Sequence, residues 1–301
     1  MPIPLERARI ATTARPEADA PPATRAAEAF DRSPDYVQSL HRGLDVIRAF
    51  GVDRPTLSLA QIARETGLSR AVVRRLLMTL GYLGYVDKHG REFTLTPRVL
   101  DLGYRYLSSL PVAQFALPVM ERLARRIDES CSLGVLDGRD VVYVQRVAVR
   151  KVMTINLSVG ARLPAYCTSM GRVLVANLAA ADRERWLAET EPAARTQFTI
   201  ADRGALGREL ERVRTQGCAY VQQELELGLC SVAVPIHGRS GETIAALNVG
   251  LPFGPGARAR ALGEILPALR LACREIDSTY PDRPDAAGTA ERPRGRPRET
   301  G

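Results

Sequence analysis

Residues 56–95 constrain the fold more than any other stretch of this chain. Ser58-Leu59-Ala60-Gln61 has the form of a capping box, in which the Ser hydroxyl and the Gln side chain each satisfy the other's free backbone N–H. Ile62 and Ala63 then supply the inward face of a short helix. Gly67 stands where that helix must leave through a left-handed conformation, and Ser69 can cap the next one. In this following helix Val72, Val73, Leu76, Leu77, Leu80 and Leu83 form one apolar stripe, with Arg70, Arg74 and Arg75 off it. Tyr85–Asp87 and Glu92–Leu95 alternate in character around Lys88-His89-Gly90-Arg91, the pattern of a hairpin with a positively charged tip. Two short helices around a Gly turn, followed by a β-ribbon, predict a winged helix-turn-helix whose partner is double-stranded DNA. Ser69, Arg70, Arg74 and Arg75 are its candidate base-edge or phosphate contacts, and Lys88 and Arg91 its candidate wing contacts.

The rest of the chain is long enough for a second domain. Its 301 residues are 45% hydrophobic and 25% charged, so ordinary cores can form. A net charge of +8 rests almost wholly on arginine, since Lys88 and Lys151 are the only lysines. Guanidinium suits phosphate and base edges, although a GC-rich genome would give the same bias. Five scattered cysteines, an odd number without CxxC pairs, predict a reduced, cytoplasmic protein. Neither a signal-like core nor a membrane-spanning apolar window is present, so no membrane partner is expected, nor is a cofactor.

Residues 1–34 and 281–301 lack apolar periodicity and are expected to be disordered. Val37, Leu40, Leu44 and Ile47 predict a first helix flooring the DNA-binding domain of residues 35–96. Thr96-Pro97 starts a linker helix within residues 97–112, on which Val99, Leu102, Gly103, Tyr106, Leu107 and Leu110 form a stripe. That stripe needs a cover, either a two-fold related copy or the chain's own second domain. Residues 113–280 then read as helices at 113–129, 170–187, 203–216 and 258–279, with strand pairs at 130–147 and 231–250 and a further strand at 153–159. Hairpin-paired strands with helices between them predict an antiparallel α+β domain.

Several segments in order resemble the IclR family of bacterial transcriptional regulators. They are Tyr36–Phe50 (YVQSLHRGLDVIRAF), the helix-turn-helix, Leu95–Tyr104 (LTPRVLDLGY), Leu163–Arg172 (LPAYCTSMGR) and Gln223–Pro235 (QELELGLCSVAVP). The resemblance covers about residues 36–280. It leans toward the branch that answers to aromatic acids or to intermediates of the β-ketoadipate pathway. What it implies is a winged helix-turn-helix, a linker helix pairing between subunits, and a C-terminal GAF-like domain binding a small carboxylic acid, in a homodimer or a dimer of dimers. Regulation of aromatic-compound catabolism follows as the expectation, with another carbon-source pathway as the alternative.

The resemblance places the effector against Tyr166–Gly171 and the strand after Gly228. Ser169, Met170, Ser231 and Asn248 are therefore the leading ligand candidates, followed by Gln222, Glu224 and Tyr143. The start of a helix at Thr168-Ser169 also offers free N–H groups to a carboxylate, or these residues serve only as an N-cap. Arg146, Arg162 and Arg172 are candidates to neutralise an acid, or else form salt bridges of their own. Arg292–Arg298 (RPRGRPR) resembles an AT-hook for a narrow minor groove, with a solubilising tail as the other reading.

Two other functions are weaker. An enzyme built on Cys167 as nucleophile needs a base, but His41 and His89 fall in the DNA-binding region and His237 lies on an expected turn. A metal sensor needs clustered ligands, and no His, Cys or Asp group has the spacing.

Overall fold

The capping box at Ser58 forms as the sequence predicts: Gln61 Oε1 accepts from Ser58 N at 2.8 Å, and Ser58 Oγ accepts from Gln61 N at 3.4 Å. This holds in a computed structural model that describes residues 30, 31, 33–51, 53–149 and 157–279. Most of the two ends expected to be disordered, the AT-hook-like motif and most of the strand expected at 153–159 lie outside those residues. Contacts divide the chain into two units, with the boundary between Arg105 and Tyr106.

In the N-terminal unit, α1 (Gln38–Arg48), α2 (Leu59–Thr66) and α3 (Arg70–Tyr82) pack with β1 (Thr56–Ser58), β2 (Val86–His89) and β3 (Glu92–Leu95). Gly67 closes α2 at φ 68°, and Ser69 Oγ accepts from Val72 N at 3.4 Å to open α3. The ribbon is wider than predicted, because Thr56–Ser58 pairs with Glu92–Thr94 to make an antiparallel sheet ordered β1-β3-β2. Val46, Leu57, Ile62, Val73, Leu77, Leu80 and Val86 are its buried core. The first helix departs from expectation. Val46 is buried and Ile47 packs against the core, whereas Val37, Leu40 and Leu44 are exposed. Only the last turns of α1 reach the core, so the front of its stripe has no cover within this unit. Leu83 at the end of the α3 stripe is likewise exposed.

Thr96 caps a short 3₁₀ turn at Pro97–Val99, from which α4 (Leu100–Ser108) continues. No residue of α4 is buried. It is followed by a separate helix, α5 (Pro111–Ile127), whose N1 proline needs no N–H donor.

The second unit is a six-stranded antiparallel sheet in the order β6-β5-β4-β9-β8-β7, with β4 at Cys131–Asp137, β5 at Asp140–Val147, β6 at Arg162–Pro164, β7 at Ala219–Gln222, β8 at Leu229–His237 and β9 at Thr243–Pro252. The edge strand is Arg162–Pro164, later than the strand expected at 153–159, and residues 157–159 are not extended in any pairing. One face of the sheet carries Leu133, Val232, Leu247 and Val249 against α5 and the C-terminal helix. That helix runs as α9 (Ala257–Arg260), a wide π turn at Ala261–Ile265, and α10 (Leu266–Thr279). The wide turn precedes Pro267, which has no N–H to give back to the turn before it.

The other face carries Ala219, Ala233 and Ala246 under α6 (Ser169–Ala176) and α8 (Arg203–Gln216). The helix expected over 170–187 is two, α6 and α7 (Ala180–Glu189). They are separated at Asn177–Ala179, where Arg183 Nη1 donates to the free carbonyls of Ala176 and Leu178 at 3.3 and 3.1 Å.

Candidate functional site

Small residues on the α6 side of the sheet set its floor low. At the N-terminal end of α6 there is a cavity of about 530 Å³, a volume ordinary for a small-molecule site. Three polar side chains lie in one register across its floor. Ser132 on β4 is paired with Arg146 on β5 and with Asn248 on β9. Arg146 Nη1 donates to Ser132 Oγ at 3.1 Å. Asn248 is 8% exposed, and its side-chain amide has no protein partner among the described residues. Ser231 and Tyr143 add hydroxyls to the lining, which also includes Glu129, Ser130 and Glu226. Burial pushes the Tyr143 hydroxyl up to about 12, against the opposing pull of Arg146, so it stays protonated as a donor.

Arg146 reaches this face through a β-bulge. Leu133 pairs with Gln145 but Gly134 pairs with Tyr143, so Val144 is an extra residue that reverses the alternation. Without it, Gln145 would share the face of Tyr143.

The wall opposite the floor is residues 223–230, and the rim is Cys167 and Thr168. The rim is placed by a close approach of the 3₁₀ turn at Ala165–Cys167 to α6: a Cβ on Gly171 would lie 2.2 Å from the Ala165 carbonyl oxygen. Only glycine fits there. Thr168 Oγ1 accepts from Gly171 N at 3.3 Å, which makes it the N-cap of α6.

Four of the seven sequence-derived effector candidates meet at this cavity: Ser231, Asn248, Glu224 and Tyr143. Ser169 and Met170 do not line it. Met170 is fully buried in the core between α6 and the sheet, with its sulfur 3.0 Å from where a Cβ on Gly134 would stand. Ser169 is also fully buried, with no partner to its hydroxyl. Gln222 follows Val221 on β7 and so turns away from the cavity, toward a shallow depression shared with Phe253, Arg258 and Leu262. Of the three candidate arginines, Arg146 lines the cavity and the other two do not. Arg162 is exposed and bonded to Asp137 and Asp140, while Arg172 is buried against Glu224. Sequence reasoning missed Ser132, although a lone Ser inside the apolar run Cys131–Val135 was a usable signal.

Cys167 sits on the rim with its thiol pushed up to about 11, chiefly by burial. That is the reverse of what an activated nucleophile requires. Among the described residues no group of three or more His, Cys, Asp or Glu has the geometry to hold a metal ion, and no helix is long and apolar enough to cross a membrane.

In the other unit Ser69, Arg70, Arg74 and Arg75 are exposed along α3, and Lys88 and Arg91 are exposed on the wing. None of these cations is ion-paired to a described residue. The arginines lie on the second helix of the turn and the other two cations on the ribbon that follows it.

A winged helix-turn-helix in one chain with a polar-floored cavity defines a DNA-binding regulator that answers to a small ligand. Residues 39–90 match the IclR helix-turn-helix domain, and residues 104–278 match the family described as bacterial transcriptional regulator IclR C-terminal. The chain belongs to the IclR family of transcriptional regulators. It is 43% identical to the Pca regulon regulatory protein of Pseudomonas putida, over 91% of this chain and 95% of that one. It is 36% identical to the p-hydroxybenzoate hydroxylase transcriptional activator of Acinetobacter baylyi, over 81% and 92%. Among solved structures, an IclR homolog from Microbacterium hydrocarbonoxydans complexed with 4-hydroxybenzoate is 27% identical with a TM-score of 0.71, covering 80% of this chain and 98% of that one.

Proposed function

We propose that this protein controls genes of aromatic-compound catabolism by binding a small aromatic carboxylic acid in the cavity of its second domain. The observation that carries the reading is the floor of Arg146, Ser132 and Asn248. A guanidinium without an acidic partner among the described residues, beside a hydroxyl and an amide that opens on the cavity, suits a carboxylate. Ser231 and Tyr143 add hydroxyls for a second polar group on the ring. The relatives named for Pca and p-hydroxybenzoate regulation, and the neighbour bound to 4-hydroxybenzoate, support the aromatic class.

Ser69, Arg70, Arg74 and Arg75 contact the operator, with Lys88 and Arg91 on its phosphates. Two copies pair through the exposed apolar face of α4, and the raised Cys167 thiol argues against covalent catalysis. A thermal-shift panel of hydroxybenzoates and β-ketoadipate pathway acids tests the ligand class. An acid at a hundred times its Kd stabilises the native state by about 2.7 kcal/mol. A panel in which no aromatic acid raises the melting temperature sinks the reading.

A further inference from the structure

Arg172 was a candidate for neutralising the effector, yet it never reaches the cavity. It is 1% exposed on α6. Its Nη2 donates to Glu224 Oε2 at 2.5 Å and its Nε to the Tyr166 carbonyl at 3.0 Å, while Nη1 stands 3.5 Å from Glu209 on α8. Glu224 Oε2 also accepts from Ile200 N at 3.0 Å. Glu224 itself opens the cavity wall, which continues through Leu225, Glu226, Leu227 and Gly228.

The same wall has a second attachment. Thr196 Oγ1 donates to the Gln223 carbonyl at 2.6 Å, and Thr199 Oγ1 donates to the Glu224 carbonyl at 2.7 Å. Gln223 adopts φ 57°, a left-handed conformation that a non-glycine residue holds only when its surroundings enforce it. The segment is tied again at Gly228, whose N–H donates to Gln223 Oε1 at 3.2 Å and whose carbonyl accepts from Phe253 N at 2.7 Å, while Leu227 between these anchors is 60% exposed. The base of the wall is therefore fixed by a buried ion pair and two hydroxyls and closed at Gly228, and its tip at Glu226–Leu227 is exposed.

We infer that Glu224, clamped by Arg172, is a positioning residue that sets segment 223–228 as a flap closing over the bound acid. The inference rests on the acid-binding reading of this cavity. Arg172 and Glu224 neutralise each other away from the ligand, which leaves Arg146 as the cation that the flap closes toward. The geometry also explains why a charge pair is used. Removing one partner strands a buried charge, so the loop has no inexpensive alternative placement.

The test titrates the full-length protein with 4-hydroxybenzoate by calorimetry and measures its ligand-free binding to DNA from its own promoter. Thr196→Val with Thr199→Val removes both hydroxyls at nearly constant shape. This variant should keep its DNA affinity and bind 4-hydroxybenzoate about tenfold more weakly, a 1.4 kcal/mol effect. Arg172→Met alone should melt early, and Arg172→Met with Glu224→Met should regain the melting temperature but not the ligand affinity. If affinity returns with stability, the pair only supports the fold and the proposal is overturned. Should the double Met variant not fold, the Thr variant decides alone, and unchanged 4-hydroxybenzoate affinity overturns the proposal. If wild type ignores 4-hydroxybenzoate, the choice of ligand fails separately. Hydrogen exchange without ligand then judges the clamp: amides of 225–229 should exchange faster in the Thr variant, and equal rates overturn it.

Discussion

Arg146 and Ser132 face each other across β4 and β5, with Arg146 Nη1 donating to the Ser132 hydroxyl at 3.1 Å. The bond fixes the guanidinium plane but uses one of its five N–H groups, and the others have no acidic partner among the described residues. If they hold the effector's carboxylate, Arg146→Ala should lower affinity for 4-hydroxybenzoate by about 10- to 100-fold, the range of hydrogen bonds to a charged group. Arg146→Lys keeps the charge but not the fork, and should fall between. Calorimetric titration checks both, and an Arg146→Ala protein that binds as wild type removes Arg146 from the site.

Asn248 is the next residue along that floor, and its amide opens on the cavity without a hydrogen bond to a described residue. Such a group costs stability unless something polar reaches it. Asn248→Leu should therefore leave the ligand-free melting temperature unchanged or raise it, while lowering the ligand-induced shift. Thermal melts with and without 4-hydroxybenzoate separate the two effects. A loss of ligand-free stability together with an undiminished shift would mean that Asn248 serves the fold.

The class of protein was legible because its signals are local. Ser58 with Gln61, Gly67, Ser69 and the spacing of Val73, Leu77 and Leu80 each report on neighbours within one or two turns, and each forms as read. The cavity was half legible. Ser231, Asn248 and Tyr143 stand on it, but Arg146 stands there because an extra residue at Val144 reverses the strand's alternation. A bulge is a property of two paired strands, and one strand's sequence does not announce it. The same period-of-two argument removes Gln222, which sits one residue from a position that lines the cavity. Met170 and Ser169 were misplaced for a different reason: α6 is buried on every side, and an apolar helix start does not say which neighbour it faces. The exposed front of α1 and the uncovered α4 mark the limit of reading one copy of a chain.

On DNA, the two groups of arginine should behave differently. Arg70 and Arg74 are exposed on α3, and if they read base edges their replacement by Ala should cost about 1–3 kcal/mol each and relax sequence preference. Lys88 and Arg91 on the wing should act through phosphate. Replacing both by Ala should weaken binding to all sequences alike and reduce the slope of log K against log salt by about 1.8, at 0.9 per phosphate contact. Electrophoretic titration at several salt concentrations distinguishes these outcomes. A wing variant with the full salt slope would mean that the wing does not touch the backbone.

Cys167 offers a pH-dependent prediction. Burial raises its thiol from 9.0 to about 11. The unfolded thiol releases its proton near 9 and the folded one holds it to about 11, so its contribution to stability is complete below pH 9 and is lost as pH rises through 11. At pH 8 the folded thiolate is about a hundredfold scarcer than that of a free cysteine, and iodoacetamide should label Cys167 at least that much more slowly. Mass spectrometry of the labelled native protein measures this. Rapid labelling at Cys167 would reopen the nucleophile reading.

The apolar face of α4 makes the last prediction. Leu100 and Tyr104 lie four residues apart on one side of this helix, 71% and 70% exposed, and Leu102 and Tyr106 are more than half exposed. A monomer gains nothing from so many large apolar groups in water on one nine-residue helix. A second copy related by a two-fold axis would bury the Leu100 and Tyr104 side twice, at roughly 25 cal/mol for each Å² of apolar surface removed from water. Leu100→Glu with Tyr104→Glu adds charge to residues that are largely exposed within their own chain, so the variant should fold with its cavity intact. It should sediment as a monomer where wild type sediments as a dimer or larger, and bind DNA more weakly because two half-sites are no longer held together. If the variant keeps the wild-type sedimentation coefficient, α4 is not the pairing surface, and the exposed Val37, Leu40 and Leu44 of α1 become the face to substitute next.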